Sequence, residues 1–179
     1  NLVRDTSESV AARQSDAPWN LDILDGTTSS RINNTYNYSS DGRGVPVYVV
    51  DSGVSPSGDF QLSSGFTPYG LDTDDCDGHG THVAGTIGGT TTGVAKAVSI
   101  VPVRVLDSCG AGTETMVLNG LNWILDDHLP GEKAVVNMSI GFESTATSID
   151  TAIKSLLAEG VVVVAASGNY GDSACDITP

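Results

Sequence analysis

The sequence predicts an α/β fold in which helices cover both faces of a doubly wound parallel sheet. Apolar segments rich in β-branched residues alternate along the chain with segments of helical spacing. The apolar segments contain few polar residues, which is typical of strands buried on both faces. The chain has 179 residues, of which 39% are hydrophobic and 17% are charged. This length and composition predict a single globular domain.

Four apolar segments are predicted to be the strands of this sheet. They comprise residues 45–50, 99–106, 134–139 and 161–166. The second segment contains Pro102. Because proline cannot donate a hydrogen bond to a neighbouring strand, Pro102 argues against a central position for that strand.

Three helices are predicted between the strands. They cover residues 79–88, 113–128 and 147–159, with Thr113 as the N-cap of the second helix and Gly160 ending the third. The inward-facing positions are Val117, Leu121, Ile124 and Leu125 in the second helix, and Ile149, Ile153, Leu156 and Leu157 in the third.

The amino-terminal region carries weaker signals. Residues 1–15 are polar and have no helical or strand period, so we predict a flexible arm or the remnant of a pro-segment. The packed domain then covers residues 16–179, and its first packed element begins within residues 17–21. Residues 55–76, rich in Gly, Ser and Asp, are predicted to form a long loop.

The formal net charge of −14 bears on the possible partners. Binding to phosphates requires clustered Lys and Arg, so we predict no nucleic-acid partner. No apolar run is long enough to span a bilayer, and we predict no membrane partner. Asp22 and Asp25 could bring two carboxylates to one loop cation such as calcium, and a capped helical turn explains the same spacing equally well.

The three cysteines form an odd set. Cys76 and Cys109 each border a glycine-rich loop and could pair across it, which would leave Cys175 alone. Cys175 is then either a free thiol or bonded to a cysteine beyond residue 179, and we favour the second interpretation.

Three polar residues are predicted to meet at one edge of the sheet. Asp51 ends the first strand, His79 opens a helix between two glycines, and Asn169 follows the last strand. In open α/β sheets, sites form at the carboxyl ends of the strands. An aspartate can fix the tautomer of an imidazole, and an asparagine amide can donate to a developing oxyanion. Each residue alone is more typical of a turn or a structural role, but together they indicate a site.

Several motifs resemble those of subtilisin-like serine proteases. Residues 48–53 and 79–85 resemble the aspartate and histidine motifs of that family, and residues 165–169 resemble its oxyanion segment. The order Asp then His also matches. The closer resemblance is to the proteinase K branch and its secreted, aqualysin-type bacterial members. It covers residues 14–179 and rests also on residues 75–79, 93–97 and 103–107.

The resemblance implies an extracellular endopeptidase with a subtilisin-like fold. His79 would accept the proton of the nucleophile, Asp51 would orient His79, and Asn169 would donate to the oxyanion. His82 corresponds to a second histidine with a structural role. Calcium is commonly structural in this family. Cys76 would pair with Cys109, and Cys175 with a cysteine further along the chain.

The resemblance also implies where protein or peptide substrates bind. The substrate would lie extended as an added β-strand between two segments, Gly110, Ala111 and Gly112 on one side and Ser139, Ile140 and Gly141 on the other. The second of these segments and Ala166, Ser167 and Gly168 would line the pocket for the side chain before the scissile bond. Ile140 and Ser167 depart mildly from the family pattern.

One departure is severe, because the Gly-Thr-Ser-Met-Ala-Pro segment that carries the nucleophile in this family is absent from the sequence. No serine present matches it. We therefore predict that residues 16–179 are the amino-terminal part of a peptidase domain, truncated before the nucleophile-bearing helix. Its expected partner is the remaining carboxyl-terminal part of the same protease, without which one edge of the sheet would be exposed.

Two other functional classes compete with this interpretation. A pseudoprotease or peptide-binding fragment would use the same groove without cleavage, and the missing nucleophile favours it. A metallohydrolase using His79 and His82 is less favoured, because the two histidines are three residues apart rather than four and no third ligand is evident.

Overall fold

The computed structural model describes residues 12–25, 32–70, 72–108, 110–142, 146–169 and 171. Its elements in chain order are β1 (Ala12–Ser15), α1 (Trp19–Asp25), β2 (Thr35–Tyr38), β3 (Pro46–Asp51), β4 (Gln61–Leu62), α2 (His79–Gly88), β5 (Ser99–Arg104), α3 (Glu114–Asp127), β6 (Val135–Met138), α4 (Thr147–Ala158) and β7 (Val162–Ala165). The predicted α/β fold with a parallel sheet is confirmed, as are the three predicted helices.

The main sheet has five parallel strands in the order β4-β5-β3-β6-β7. Asp51 at the end of β3 is in register with Arg104 at the end of β5. On the other side, Val50 is in register with Met138, and Met138 with Ala165. The carboxyl ends of four strands therefore lie along one edge, where the sequence predicts the site.

Alternate residues of β3 face two separate hydrophobic cores. Tyr48 and Val50 belong to the core formed with α3 and α4. Val47 and Val49 face the opposite side and pack with Ala84 of α2. Because both faces of the strand are buried, its sequence is a continuous apolar run, and helices cover the sheet on both sides.

The structure corrects the expectation for Pro102, since β5 is an inner strand between β4 and β3. Proline is tolerated there because the N–H group that it lacks would point toward β4 and not toward β3. Ser99 N–H donates to Val45 in the direction of β3, whereas the carbonyl oxygens of Ile100 and Pro102 face the β4 side. β4 ends at Leu62, level with Ile100, so no ladder partner is lost at Pro102.

The prediction of a flexible arm over residues 1–15 is wrong for its last four residues; residues 1–11 lie outside the described part. Ala12–Ser15 form β1, which pairs antiparallel with β2. Beneath this pair, Leu21 of α1 packs with Ala17 and Tyr36 in a third small core. Local pairing with β2, rather than an apolar pattern, orders this segment.

The last strand, β7, pairs with β6 and lies at an edge of the sheet. Val162 is 55% exposed and Val164 is 52% exposed, although the sequence of the strand is almost entirely apolar. Among the residues described, no helix has the length and apolar character that crossing a membrane requires.

Close packing of α3 on the sheet predicts opposite effects of alanine at two helical glycines. A Cβ on Gly120 would lie 2.8 Å from Val105 Cγ1 and 2.9 Å from Val103 Cγ1, whereas the nearest atom to one on Gly85 would be 4.0 Å away. We expect Gly120→Ala to lower the free energy of unfolding by about 1–3 kcal/mol through overpacking. Gly85→Ala should raise it by about 0.5–1 kcal/mol through helix propensity.

Denaturant unfolding of the two variants measures both effects. Equal stabilities of Gly120→Ala and Gly85→Ala would contradict the close approach of α3 to β5.

Candidate active site

Asp51 is the last residue of β3, and its side chain is fully buried. A buried carboxylate requires hydrogen-bond donors to offset the loss of water. The backbone N–H of Ser52 donates to Asp51 Oδ1 at 2.7 Å. The Ser52 hydroxyl lies 3.1 Å from the same oxygen. The strand end thus holds Asp51 in one orientation.

His79, the first residue of α2, faces this carboxylate. Its Nδ1 lies 2.9 Å from both Oδ1 and Oδ2 of Asp51. Because a carboxylate only accepts, Nδ1 carries the proton and donates it. Half of the His79 side chain is exposed. Nε2 is left as the basic nitrogen of the neutral ring, with no hydrogen bond to any residue described here. The structure therefore brings the predicted Asp51 and His79 together as an oriented base.

A close approach at Gly80 makes this geometry possible. A Cβ at Gly80 would lie 2.1 Å from the carbonyl oxygen of Gly53 and 3.1 Å from Cβ of Asp51. The N–H of Gly80 instead donates to the Ser52 hydroxyl oxygen at 3.0 Å. The absence of a side chain lets the first turn of α2 lie directly against the end of β3, which sets the distance between His79 and Asp51.

Asp75 is a site residue that the sequence analysis did not identify. Its Oδ1 accepts from the N–H groups of Asp77 and Gly78 at 3.1 and 2.8 Å and lies 2.8 Å from the Ser52 hydroxyl. Its Oδ2 accepts from the N–H of Thr81 at 2.8 Å. Asp75 thus links the loop before α2, the first turn of α2 and the end of β3. Its sequence signals are its place in the motif at residues 75–79 and a carboxylate shortly before a helix start, and neither of them indicates its role.

The hydrogen bonds to Asp75 also set its ionisation. Burial alone would raise its pKa, but hydrogen bonds from Thr81, Gly78 and Ser52 outweigh burial and lower the pKa of the carboxyl to about 2. Asp75 is therefore a carboxylate throughout the neutral range.

The acidic surroundings raise the pKa of His79 above its ordinary value. The hydrogen bond to Asp51 is the largest cause, partial burial opposes it, and the charges of Asp51, Asp77 and Asp75 add to it. The site therefore stabilises the imidazolium that forms when Nε2 accepts a proton. A base of this kind suits proton transfer during nucleophilic attack.

A cleft of about 400 Å³ lies near Asp51, because the N–H of Leu106, one of its lining residues, donates to the carbonyl oxygen of Asp51 at 3.2 Å. Its lining includes five of the predicted substrate-binding residues, Gly110, Ala111, Gly112, Ile140 and Gly141. A Cβ at Gly110 would lie 3.3 Å from Asp77 Oδ1, so this end of the cleft adjoins the loop that leads into His79. Residues of the two predicted segments, except Ser139, therefore line one groove, and one end of that groove adjoins the loop before His79.

The remaining predicted residues lie elsewhere along the sheet edge. Ser139 follows β6 and accepts a hydrogen bond from Asn137 Nδ2 at 2.9 Å. Ala166, Ser167, Gly168 and Asn169 follow β7 and are exposed. None of these residues lines the cleft, and Asn169 makes no hydrogen bond to Asp51 or His79. Their roles in binding and catalysis stay predictions.

Asp22 and Asp25 lie on helix α1 and not in a loop. Asp22 is buried and accepts hydrogen bonds from the N–H groups of Asn33 and Asn34, and Asp25 accepts two from Asn37. A cation would have to displace these donors, so the described carboxylates do not fit one as placed. Calcium binding stays a prediction that this arrangement does not support.

The predictions for His82 and for the three cysteines concern a metal site and disulfide bonds. His82 is exposed, and no group of three metal-ligating side chains occurs within the described residues. Cys76 is exposed and forms no disulfide with them, while its predicted partner Cys109 and the remaining Cys175 lie outside the described residues. The Cys76–Cys109 pairing stays a prediction.

Removal of the Asp51 charge tests the cause of the raised His79 pKa. We expect Asp51→Asn to move the titration of the His79 ring, followed by NMR, to lower pH, because the variant loses both the charge and the favourable acceptor. Asp77→Asn, which removes a more distant charge, is the matched control and should cause a smaller shift in the same direction. Equal shifts in the two variants would contradict the direct Nδ1–carboxylate bond.

Asp75→Asn tests the link between the loop and α2. The pKa of Asp75 is lower in the folded protein than in the unfolded chain. The ionised carboxylate therefore stabilises the fold fully above the unfolded pKa, and this contribution is lost as the pH falls through about 2. We expect a loss of about 1–2 kcal/mol in the free energy of unfolding at pH 7, shrinking between pH 5 and pH 2. Asp74→Asn, at an exposed neighbour, should cost little. A pH-independent loss in Asp75→Asn would contradict this role.

Comparison of the sequence with known proteins identifies its family. The sequence model of the subtilase family matches residues 42–177. An extracellular serine proteinase from Thermus sp. (strain Rt41A) is 45% identical over 174 residues, which cover 94% of this chain and 41% of the relative. Alkaline serine exoprotease A from Vibrio alginolyticus is 38% identical over 183 residues, covering 99% of this chain and 34% of the relative.

The fold agrees with that of a solved subtilisin-like proteinase. The crystal structure of a cold-adapted subtilisin-like serine proteinase superposes with a TM-score of 0.85 at 40% identity, covering 92% of this chain and 61% of that chain. The chain spans less than half the length of the two curated relatives described above. Its resemblance to subtilisin-like serine proteases and its subtilisin-like fold are confirmed. The chain belongs to the subtilase family.

Proposed function

We propose that this chain is the amino-terminal part of the catalytic domain of a secreted serine endopeptidase. The observation that carries the proposal is the pair formed by Asp51 and His79, with Nδ1 bonded to a buried carboxylate and the ring half exposed. Membership of the subtilase family supports a serine peptidase. The Thermus relative, named an extracellular serine proteinase, supports secretion.

In the proposed reaction, His79 acts as the general base. Its Nε2 takes the proton of a serine hydroxyl as that oxygen attacks the peptide carbonyl, and later returns the proton to the leaving amine. Asp51 keeps the proton on Nδ1 and stabilises the imidazolium, in agreement with the raised pKa of His79. The nucleophile comes from residues outside this 179-residue sequence.

The proposed substrate path is the cleft between the two glycine-containing segments. An extended peptide would lie beside Gly110–Ala111–Gly112 and face Ile140 and Gly141. The small side chains leave backbone groups accessible for pairing as an added strand. Ser139 and residues 166–168 would line the pocket nearest the scissile bond. Asn169 would donate to the oxyanion, and its place after β7 at the carboxyl edge of the sheet supports this role.

The remaining part of the domain is the proposed partner of this chain. β7 is the edge strand of the described sheet, and half of the surface of Val162 and Val164 is exposed there. Additional chain covering these valines would bury apolar surface and protect the strand edge. This part would also supply the nucleophile.

We also propose a disulfide between Cys76 and Cys109. The residues next to them in sequence are neighbours in space, since a Cβ at Gly110 would lie 3.3 Å from Asp77 Oδ1. Cys76 is exposed at the same junction. Such a bond would fasten one wall of the cleft to the loop that precedes His79.

A peptide-binding domain without catalysis is the second candidate function. The groove between the two glycine-containing segments supports it, because such a groove can hold an extended peptide without any catalytic group. The oriented Asp51–His79 pair argues for catalysis, because binding a peptide strand does not require a general base.

The natural full-length protein that contains this sequence allows a direct test. We expect His79→Ala to lower the rate of cleavage of a general protein substrate by a factor on the order of 10⁴ or more, with little change in thermal stability. His82→Ala, at the exposed second histidine of the same helix, should retain most of the activity. Near-normal turnover in His79→Ala would refute the assignment, and no cleavage by the parent protein would favour the peptide-binding alternative.

Covalent labelling locates the nucleophile independently of the rate. A sulfonyl fluoride should modify one serine outside the 179 residues, and His79→Ala should suppress the labelling. Modification of Ser52 or Ser139 would contradict the proposed mechanism.

A further inference from the structure

One of the described residues that line the cleft is charged. Among the described residues that line it, Leu106, Val117, Ile140 and Phe142 provide apolar walls, and Gly110, Ala111, Gly112 and Gly141 leave space for a backbone. Thr113 and Ala146 complete the uncharged part. Glu114 is the exception. A carboxylate among described lining residues that are otherwise uncharged can discriminate between substrate side chains.

The carboxylate of Glu114 is held between two helices. Glu114 is the first residue of α3, directly after the N-cap Thr113. The Ser148 hydroxyl, in the first turn of α4, donates to its Oε1. Oε2 accepts no hydrogen bond from the part of the chain that the structure describes. One oxygen therefore fixes the position of the carboxylate, and the other is available to a donor that enters the cleft.

The apolar walls suit the stem of a long basic side chain. Lys and Arg commonly lay their methylene groups along apolar surface while the charged end reaches a polar partner. Val117 and Ile140 offer such a surface, and Glu114 lies in the same cleft. A shorter or uncharged side chain would fill the apolar part and leave Oε2 of the carboxylate to the solvent.

The position of Glu114 at the start of α3 makes the preference for basic side chains depend more strongly on this residue. The amino terminus of α3 carries the partial positive charge of the helix dipole, which disfavours cations. Glu114 at the first helical residue reverses the sign of the field locally. The preference for a cation should therefore depend on this one side chain, and its removal should leave a site that disfavours Lys and Arg.

We propose that Glu114 selects substrates that carry a Lys or Arg side chain in the segment lying along Gly110–Ala111–Gly112. The inference rests on the proposed peptidase function, which places a substrate strand in this cleft. Because Gly110, at one end of the cleft, adjoins Asp77 in the loop before His79, the cleft belongs to the proposed active site and not to a distant exosite. The net charge of −14 would additionally speed the approach of basic substrates.

Peptide cleavage by the natural full-length protein tests the proposal. A set of peptides carries Lys, norleucine or Glu at each of the five residues before the cleaved bond, with all other residues constant. At one of these positions we expect kcat/KM for Lys to exceed that for norleucine by about fivefold at low salt. In Glu114→Gln this ratio should fall to one or below. In Glu114→Lys the peptide with Glu should become the preferred substrate.

Asp126→Asn is the matched control, because Asp126 is an exposed carboxylate on the same helix outside the cleft and its loss changes the net charge equally. It should leave the Lys-to-norleucine ratio unchanged. In 1 M salt, where screening extends to about 3 Å, the ratio for the parent protein should decrease. Equal ratios in the parent and Glu114→Gln, or an equal fall in Asp126→Asn, would overturn the selection by Glu114.

Binding separates this inference from the peptidase proposal. Fluorescence anisotropy with the same Lys and norleucine peptides requires no cleavage. Tighter binding of the Lys peptide that is lost in Glu114→Gln supports the inference even where no peptide is cleaved, an outcome that would refute only the peptidase activity. Equal binding of both peptides, or binding of neither, would overturn the inference.

Discussion

The arrangement of the site depends on the close approach of the first turn of α2 to the end of β3. At Gly80, a single added carbon would lie 2.1 Å from the carbonyl oxygen of Gly53. Because His79 precedes Gly80 directly, the same approach brings its ring to 2.9 Å from Asp51. A larger residue at position 80 would push the helix outward and break the hydrogen bond between the two functional side chains. The packing of α2 on β3 and the hydrogen bond between His79 and Asp51 thus both require a residue without a side chain at position 80.

The strand beneath this contact is enclosed on both edges and on both faces. β3 has β5 on one side and β6 on the other, and its alternate residues enter two different cores. Asp51 therefore projects from a rigid support, whereas the cleft segments 110–112 and 140–141 belong to loops. In parallel sheets, where sites form at the carboxyl edge, catalytic groups commonly lie on rigid strands and substrate contacts on more adaptable loops.

The sequence predicted the elements whose apolar pattern is long and regular. β3, β6, β7 and the three helices α2, α3 and α4 are of this kind. β1, β2 and β4 were missed because they are short, polar strands ordered by pairing with neighbours, and a local pattern does not reveal the partner. The error over Pro102 has a related cause. Whether a proline is tolerated depends on which side its missing N–H faces, and only the register of β5 shows this.

The candidate site was predictable to a similar degree. Asp51 and His79 were identified because each sits at the boundary of a recognisable element. Asp75 was missed because it acts through backbone N–H groups of the loop before α2 and of the first turn of α2, whose arrangement is not encoded in residue types alone. The same limit explains Asp22 and Asp25, since the spacing of two carboxylates is the same in a loop and in the helical turn that they occupy.

The three acidic residues around His79 act in physically different ways. Asp51 bonds directly to the ring, Asp75 fixes the backbone from which the ring projects, and Asp77 contributes its charge. All three raise the pKa of the histidine, which strengthens the base but also increases its protonated fraction at a given pH. Partial burial of the ring opposes this increase. Partial burial of His79 therefore limits the rise of its pKa, so that the ring is a stronger base and is still neutral in part of the molecules. The packing of α2 against β3 fixes this half-exposed position.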